Sequence, residues 1–218
     1  MAATIQPRPN GPYLVREVTQ LRNAEGEAIS HEAVFALCRC GGSAHKPFCD
    51  GTHKTNGFSD ARLADPSKDK VRSYPGPGIT IHDNRSICAH AGACTDGLAA
   101  VFKYGEKPWI DACGAAAAAI AETIRRCPSG ALSYTLEGEA PVPAPGRPRV
   151  GGDPIAGGPP RITVTKDGPY VVAGECELLE AAWAEGASRV RYTLCRCGAS
   201  KNKPFCDGSH FDAGFKDG

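Results

Sequence analysis

Short apolar runs bounded by glycine, proline and polar residues dominate the pattern of this chain. P-Y-L-V-R-E-V at 12–18 and P-Y-V-V-A-G-E at 169–175 each place an apolar run directly after a turn. V-F-A-L-C at 34–38 and V-R-Y-T-L-C at 190–195 each end on a cysteine. Runs of this length, rich in valine, tyrosine and phenylalanine, predict β-strands.

One run has a helical pattern instead. Residues 114–126 are rich in alanine, the best helix former, and place Ile120 and Ile124 on one face. Since the chain contains 26 Gly and 18 Pro, we expect few long helices elsewhere.

Much of the pattern occurs twice at one fixed offset. G-P-Y at 11–13 recurs at 168–170, and L-C-R-C-G at 37–41 recurs at 194–198, each 157 residues later. Duplication with an insertion predicts a β-rich α+β protein in which two small β units pack together. We divide the chain into a first repeat at 1–59, an inserted segment at 60–137, a Gly/Pro-rich linker at 138–161 and a second repeat at 162–218.

The charges of the chain nearly cancel, with 25 Lys and Arg against 24 Asp and Glu. We therefore expect neither nucleic acid nor a membrane as a partner. No apolar run approaches the roughly 20 residues that span a bilayer, and the first residues lack the pattern of a secretory signal. We expect a soluble, cytoplasmic protein, in whose reducing surroundings the 11 cysteines favour metal binding.

Each repeat ends in the spacing C-x-C-x8-C-x3-H. Cysteines one residue apart on an extended chain point to the same side, and a cysteine and a histidine four apart share one face of a helical turn. Two such pairs match a [2Fe–2S] cluster, whose irons each take two protein ligands. A single zinc ion held by three cysteines and a histidine is an alternative, and strained disulfides are a third. The candidate metal ligands are Cys38, Cys40, Cys49 and His53 in the first repeat, and Cys195, Cys197, Cys206 and His210 in the second.

Both stretches resemble the CDGSH iron–sulfur family, also called NEET proteins. The family pattern, C-x-C-x2-(S/T)-x3-P-x-C-D-G-(S/T/A)-H, is matched throughout at 38–53 and 195–210, including Ser43 and Ser200. The resemblance implies one [2Fe–2S] cluster per motif, with the C-x-C pair on one iron and the Cys/His pair on the other. It also implies a pseudo-two-fold pair of motifs, supplied here by one chain, so we expect a monomer.

Histidine ligation changes the charge of such a cluster. Two ferric ions, two sulfides and three thiolates sum to one negative charge, whereas a site with four cysteines carries two. The expected reduction potential therefore lies above the roughly −400 mV of plant-type ferredoxins. Because protons compete for the imidazole, we also expect mild acidification to remove both terminal clusters, and replacement of His53 and His210 by cysteine to change that pH.

The inserted segment carries its own cysteines. Cys88 and Cys94 are spaced like the outer cysteines of C-x2-C-x2-C, and Cys127 begins C-P-S-G-A-L. With I-T-I-H-D and A-L-S-Y-T-L as paired terminal strands, the segment resembles a divergent single-cluster ferredoxin. Three thiolates imply a [3Fe–4S] cluster; a [4Fe–4S] cluster would need a further ligand from His90, Cys113 or solvent. The alternative is a domain that has lost its cluster and keeps these cysteines as buried thiols.

No motif for substrate chemistry accompanies these cysteines. The chain lacks G-x-G-x-x-G, a P-loop, a nucleophile elbow and H-E-x-x-H, so we expect no enzyme activity. We expect one-electron transfer with redox protein partners, such as a reductase or a ferredoxin. A second hypothesis is cluster storage, delivery to an acceptor protein, or redox and pH sensing. A third is a zinc-stabilised interaction scaffold.

Overall fold

The computed structural model describes residues 2–138 and 158–217, so most of the predicted linker at 138–161 lies outside the described residues. The described part is β-rich with three short α-helices, which confirms the predicted α+β class. None of its helices is long and apolar enough to cross a bilayer. The strands are β1 Ala3–Pro7, β2 Tyr13–Arg16, β3 Gln20–Arg22, β4 Val34–Leu37, β5 Arg72–Gly76, β6 Ile79–Asp83, β7 Leu132–Leu136, β8 Arg161–Val164, β9 Tyr170–Ala173, β10 Cys176–Leu178 and β11 Arg191–Leu194, and the helices are α1 Ala93–Gly97, α2 Ala117–Arg125 and α3 Ser209–Asp212.

The two repeats form two four-stranded sheets, and each sheet takes one edge strand from the other repeat. The strand orders are β10-β1-β2-β4 and β11-β9-β8-β3. Strand β10 of the second repeat runs parallel to β1, with Cys176 opposite Ala3. Strand β3 of the first repeat runs parallel to β8, with Gln20 opposite Arg161. Equivalent strands occupy equivalent places, so the repeats form a pseudo-two-fold pair joined by strand exchange.

Alternating apolar residues of the two sheets build one shared core. Ile5 and Val15 are fully buried, and so are their counterparts at the repeat offset, Ile162 and Val172. Burying each of these side chains stabilises the fold by about 1.5–3 kcal/mol. All four belong to one continuous cluster of buried apolar residues. The core therefore fixes the position of one repeat against the other.

The inserted segment forms its own antiparallel sheet in the order β5-β6-β7. The two strands predicted at its ends are adjacent, with Ile81 opposite Tyr134. Helix α2 packs against β7 and buries Ile120 and Ile124, as the alanine-rich run predicts. The helix begins only at Ala117, three residues after the start of the alanine-rich run, since Ala116 has an extended backbone with ψ 144°.

Hydrogen bonds fasten the inserted segment to the second repeat. The Asn202 side-chain amide donates to the Ser86 carbonyl at 2.7 Å. The Asn84 amide donates to the Glu185 carbonyl at 2.8 Å. These contacts place the cysteine-bearing part of the insertion next to the second CDGSH-like motif.

Candidate metal centres

The two cysteines of each C-x-C segment lie side by side. Cys38 and Cys195 directly follow strands β4 and β11. The two Sγ atoms are 3.8 Å apart in Cys38 and Cys40, and also 3.8 Å apart in Cys195 and Cys197. Two sulfurs bound at ~2.3 Å to one tetrahedral metal ion stand about 3.8 Å apart. Each pair therefore has the spacing that lets it share one metal ion.

The cysteine and histidine at the end of each motif form a second pair. Cys49 Sγ lies 3.4 Å from His53 Nδ1, and Cys206 Sγ lies 3.5 Å from His210 Nδ1. A sulfur at ~2.3 Å and an imidazole nitrogen at ~2.0 Å on one tetrahedral metal ion are about 3.5 Å apart. The histidines are carried by a 3₁₀ helix, Thr52–Lys54, in the first repeat and by α3 in the second.

The aspartate and glycine before each histidine shape the turn that makes this second pair. Gly51 and Gly208 have φ angles of 93° and 87°, which side-chain-bearing residues rarely adopt. The Asp50 carboxylate accepts hydrogen bonds from the backbone N–H groups of Ala44 and Thr52 at 2.8 and 3.0 Å. Hydrogen bonds from Thr52 hold the pKa of the Asp50 carboxyl well below its usual value. The ionised carboxylate thus ties the loop before the cysteine to the helix after it.

The serine of each motif closes the loop between the two ligand pairs. Ser43 Oγ donates to the Phe48 carbonyl at 2.7 Å, and Ser200 Oγ donates to the Phe205 carbonyl at 2.7 Å. Each phenylalanine directly precedes the third cysteine of its motif. The serine therefore holds the backbone that presents this cysteine.

The two motifs differ in exposure. Cys206 and His210 are only 3% and 6% exposed, whereas Cys49 and His53 are half-buried. Burial raises the pKa of Cys206 to about 12 and lowers the pKa of His210. Burial of this pair therefore favours a neutral thiol and a neutral imidazole, and the positive charge of a bound metal ion would favour the thiolate.

The inserted segment produces this difference by covering the second motif. His90 lies against Gly208, where an added Cβ would come 2.8 Å from atoms of the His90 ring. At the equivalent Gly51, an added Cβ would meet nothing within 4 Å. The inserted segment therefore packs against this glycine in the second motif and not against its equivalent in the first.

A cavity of about 550 Å³ contains the three candidate cysteines of the inserted segment. Cys88, Cys94 and Cys127 all line it, and His90 forms part of its wall. Burial raises the pKa of the Cys88 thiol to about 11. Cys113 is exposed and is not part of this wall. The fold thus brings together three of the four cysteines of the inserted segment, with His90 as the neighbouring side chain that could add a ligand.

The three candidate centres are neighbours in the fold. Phe211 and Asp212 directly follow His210 in α3, and both line the cavity of the inserted segment. Cys40 and Cys197 form an antiparallel β-bridge, so the two C-x-C segments also meet. Protein contacts therefore run from the cavity through the second motif to the first.

The donor sets fit iron–sulfur clusters. In residues 2–138 and 158–217, no three His, Cys, Asp or Glu side chains form a group able to hold one metal ion. The candidate ligands of each CDGSH-like motif lie in two pairs, and a [2Fe–2S] cluster requires two protein ligands on each iron. The three cysteines in the wall of the cavity offer the soft sulfur donors that larger clusters use.

Two tyrosines that were not among the predicted site residues also contact the motifs. The Tyr13 hydroxyl lies 3.0 Å from the carbonyl oxygen of Cys195, and the Tyr170 hydroxyl lies 2.9 Å from that of Cys38. The signal that could have located them is the recurrence of tyrosine in G-P-Y, because a turn requires the glycine and proline but not the tyrosine.

Comparison with known proteins agrees with this arrangement. The model of the iron-binding zinc finger of CDGSH type matches residues 10–54 and 167–211. The model of the divergent 4Fe-4S mono-cluster domain matches residues 74–137.

Similar curated proteins include the uncharacterized protein YjdI of Escherichia coli K12 and of Escherichia coli O157:H7. Each is 40% identical over 63 residues, which cover 29% of this chain and 83% of the relative. No solved structure matches. The family matches, together with the paired ligands and the cysteine-lined cavity, show that the chain belongs to the CDGSH iron–sulfur family, with a divergent ferredoxin-like domain inserted between its two CDGSH motifs.

Proposed function

We propose that this protein carries single electrons between redox protein partners, such as a reductase and a ferredoxin, and is not an enzyme. Each CDGSH motif would hold a [2Fe–2S] cluster, and the inserted domain would hold a [3Fe–4S] cluster. Iron–sulfur clusters supply reversible one-electron chemistry. Because His90 lines the cavity, a [4Fe–4S] cluster with His90 as the fourth ligand is the alternative for the inserted domain.

The contact between the three candidate centres carries this proposal. The bridge between Cys40 and Cys197 joins the two motifs, and Phe211 and Asp212 join the second motif to the cavity. A protein that used metals only to stabilise separate small domains would not need these sites next to one another. An electron carrier does need them close together.

The spacing, charge and burial of the candidate ligands suit each site for electron transfer. The C-x-C and Cys/His pairs have the spacing of ligands on a single metal ion, so little rearrangement accompanies binding. His53 and His210 contribute neutral nitrogen where a cysteine would add a negative charge, which favours acceptance of an electron. Burial of Cys206 and His210 keeps water away from the second site.

Electron exchange with a ferredoxin tests the proposal. We expect the reduced holo-protein to transfer electrons rapidly and reversibly to an oxidised ferredoxin while all clusters stay bound. Cys127→Ser should slow this exchange because it removes one thiol of the cavity, whereas Cys113→Ser, which changes an exposed cysteine outside the cavity, should not. Stopped-flow absorbance follows the exchange. No electron transfer, or equal effects of the two substitutions, would contradict the proposal.

Cluster delivery is the second candidate function, and the exposure of the first motif favours it. Cys49 and His53 are half-buried, so an acceptor protein can approach that site more easily than the second. Mixing the holo-protein with an apo-ferredoxin separates the two functions. Irreversible movement of a cluster to the acceptor would support delivery, and reversible reduction without movement would support the carrier.

A further inference from the structure

Tyr13 belongs to the first repeat, yet its hydroxyl contacts the metal site of the second. It starts β2 and is fully buried in the shared core. Its hydroxyl lies 3.0 Å from the carbonyl oxygen of Cys195 and 2.9 Å from that of Pro204. One hydroxyl hydrogen is therefore shared between two carbonyl acceptors.

The same contact occurs in the opposite direction. The Tyr170 hydroxyl, in the second repeat, lies 2.9 Å from the carbonyl oxygen of Cys38 and 3.0 Å from that of Pro47 in the first. The two tyrosine rings meet edge to face, with centroids 6.2 Å apart. In each repeat, the tyrosine therefore contacts the motif of the other repeat, an arrangement that we call crossed.

The carbonyls that accept these hydrogen bonds join the two ligand-bearing segments of each motif. Cys195 is the first cysteine of its C-x-C pair, and Pro204 lies two residues before Cys206. The Cys195 backbone N–H also donates to the Pro204 carbonyl, at 2.8 Å. The tyrosine hydroxyl from the other repeat therefore binds where the C-x-C segment and the Cys/His segment come together.

We propose that Tyr13 and Tyr170 are crossed positioning residues, each holding together the ligand segments of the metal site in the opposite repeat. The inference rests on the proposed clusters in the two CDGSH motifs. It explains why G-P-Y accompanies both motifs at the repeat offset. It also gives the two sites a direct structural connection, since each repeat completes the support of the other.

The surroundings keep both hydroxyls available as donors. Burial raises the pKa values of Tyr13 and Tyr170 well above the usual tyrosine value, so both phenols stay protonated. The guanidinium of Arg39 lies 5.1 Å from the centre of the Tyr13 ring, and that of Arg196 lies 5.5 Å from the Tyr170 ring. A phenylalanine at either position would keep the ring and these ring contacts and would lose only the hydroxyl.

The test therefore uses Tyr13→Phe and Tyr170→Phe in the full-length holo-protein. Tyr13→Phe should make the second-motif cluster dissociate about tenfold faster, because buried carbonyls lose a hydrogen bond, and should leave the first unchanged. Tyr170→Phe should do the reverse. The matched control is Tyr192→Phe, which removes an equally buried hydroxyl that lies 2.9 Å from the Cys176 carbonyl, outside both motifs.

Each cluster is identified by combining the tyrosine variants with His53→Cys or His210→Cys, which change the charge and the spectrum of one site only. Cluster loss is followed by visible absorbance, and the reduced clusters by EPR. A faster loss and a shifted EPR signal in the opposite repeat would support the proposal. The proposal would be overturned if cluster loss and the EPR signal changed only in the repeat that carries the substituted tyrosine, changed equally in both repeats, or did not change. It would also be overturned if Tyr192→Phe had the same effect.

The wild-type protein separates this inference from the function on which it rests. If wild type contains no iron and sulfide in its CDGSH motifs, the proposed function itself fails. If wild type is fully loaded and the tyrosine variants lack the crossed effect, only the positioning role fails.

Discussion

At the scale of single residues, the middle residue of each C-x-C segment is a buried cation. Arg39 and Arg196 are only 3% and 2% exposed. Arg39 pairs with Asp60 at 3.5 Å, and Arg196 pairs with Asp217. A cluster with three thiolates is negative and becomes more so on reduction, so a nearby positive charge stabilises the reduced form.

We therefore expect Arg196→Gln to lower the reduction potential of the second site. The loss of one screened cation should cost on the order of 1 kcal/mol, or roughly 40 mV for one electron. A redox titration followed by EPR measures it. Arg189→Gln, which removes an exposed arginine of the same repeat, is the control. A potential that does not move, or that moves equally in the control, would show that Arg196 does not tune this site.

At the scale of secondary-structure elements, the exchanged strands join the two repeats. Leu21 of β3 is buried opposite Ile162 of β8, and its counterpart Leu178 of β10 is buried opposite Ile5 of β1. A short edge strand thus buries its leucine against the other repeat. The stability of each sheet consequently depends on residues from both ends of the chain.

Leu21→Ala should lower the free energy of unfolding by ~3 kcal/mol, because it leaves a cavity beside Ile162. The accompanying loss of amide hydrogen-exchange protection should be largest in β8 and β9, although the substitution lies in the first repeat. Leu178→Ala, in the second repeat, should reduce amide hydrogen-exchange protection most strongly in β1 and β2 of the first repeat. Protection lost mainly within the mutated residue's own repeat would contradict strand exchange.

The local sequence pattern predicts the strands before each motif and helix α2, but it does not predict the exchanged strands β3 and β10. The strands before each motif and helix α2 follow from periodicity, because their apolar residues are neighbours along the chain. Strands β3 and β10 have only three residues each, too few to show a period, and their parallel partners lie far away in sequence. The pattern also misses the start of α2 at Ala117, because the alanines at 115 and 116 have the same helix propensity as those that follow and only the extended backbone of Ala116 marks the boundary.

At the scale of the whole molecule, the inserted domain makes the two CDGSH sites unequal. The short distances within each Cys/Cys pair and each Cys/His pair could be predicted, because spacing along a strand or a helical turn is local. The difference in burial could not, because it arises from contacts such as His90 on Gly208 and Asn202 on Ser86, which join distant parts of the sequence. Two motifs with the same sequence pattern are therefore buried to different extents in the folded protein.

This inequality predicts two rates of iron loss to a chelator. Iron at the half-buried first site should be removed faster than iron at the covered second site. Asn202→Ala should accelerate the slow phase, because it removes the 2.7 Å hydrogen bond that holds the inserted domain over the second motif. His45→Ala, at the equivalent position of the first repeat, should leave that phase unchanged. Visible absorbance during chelation reports both phases, and a single rate for all CDGSH iron would contradict the account.

The central claim is that one chain carries three iron–sulfur clusters. Iron and sulfide analysis combined with EPR of the purified protein tests it most directly. We predict a red-brown protein with about seven irons per chain, two for each CDGSH motif and three in the inserted domain. Its reduced form should show [2Fe–2S] signals and its oxidised form a [3Fe–4S] signal. About four irons would mean an empty inserted domain, and a colourless protein rich in zinc would contradict the account as a whole.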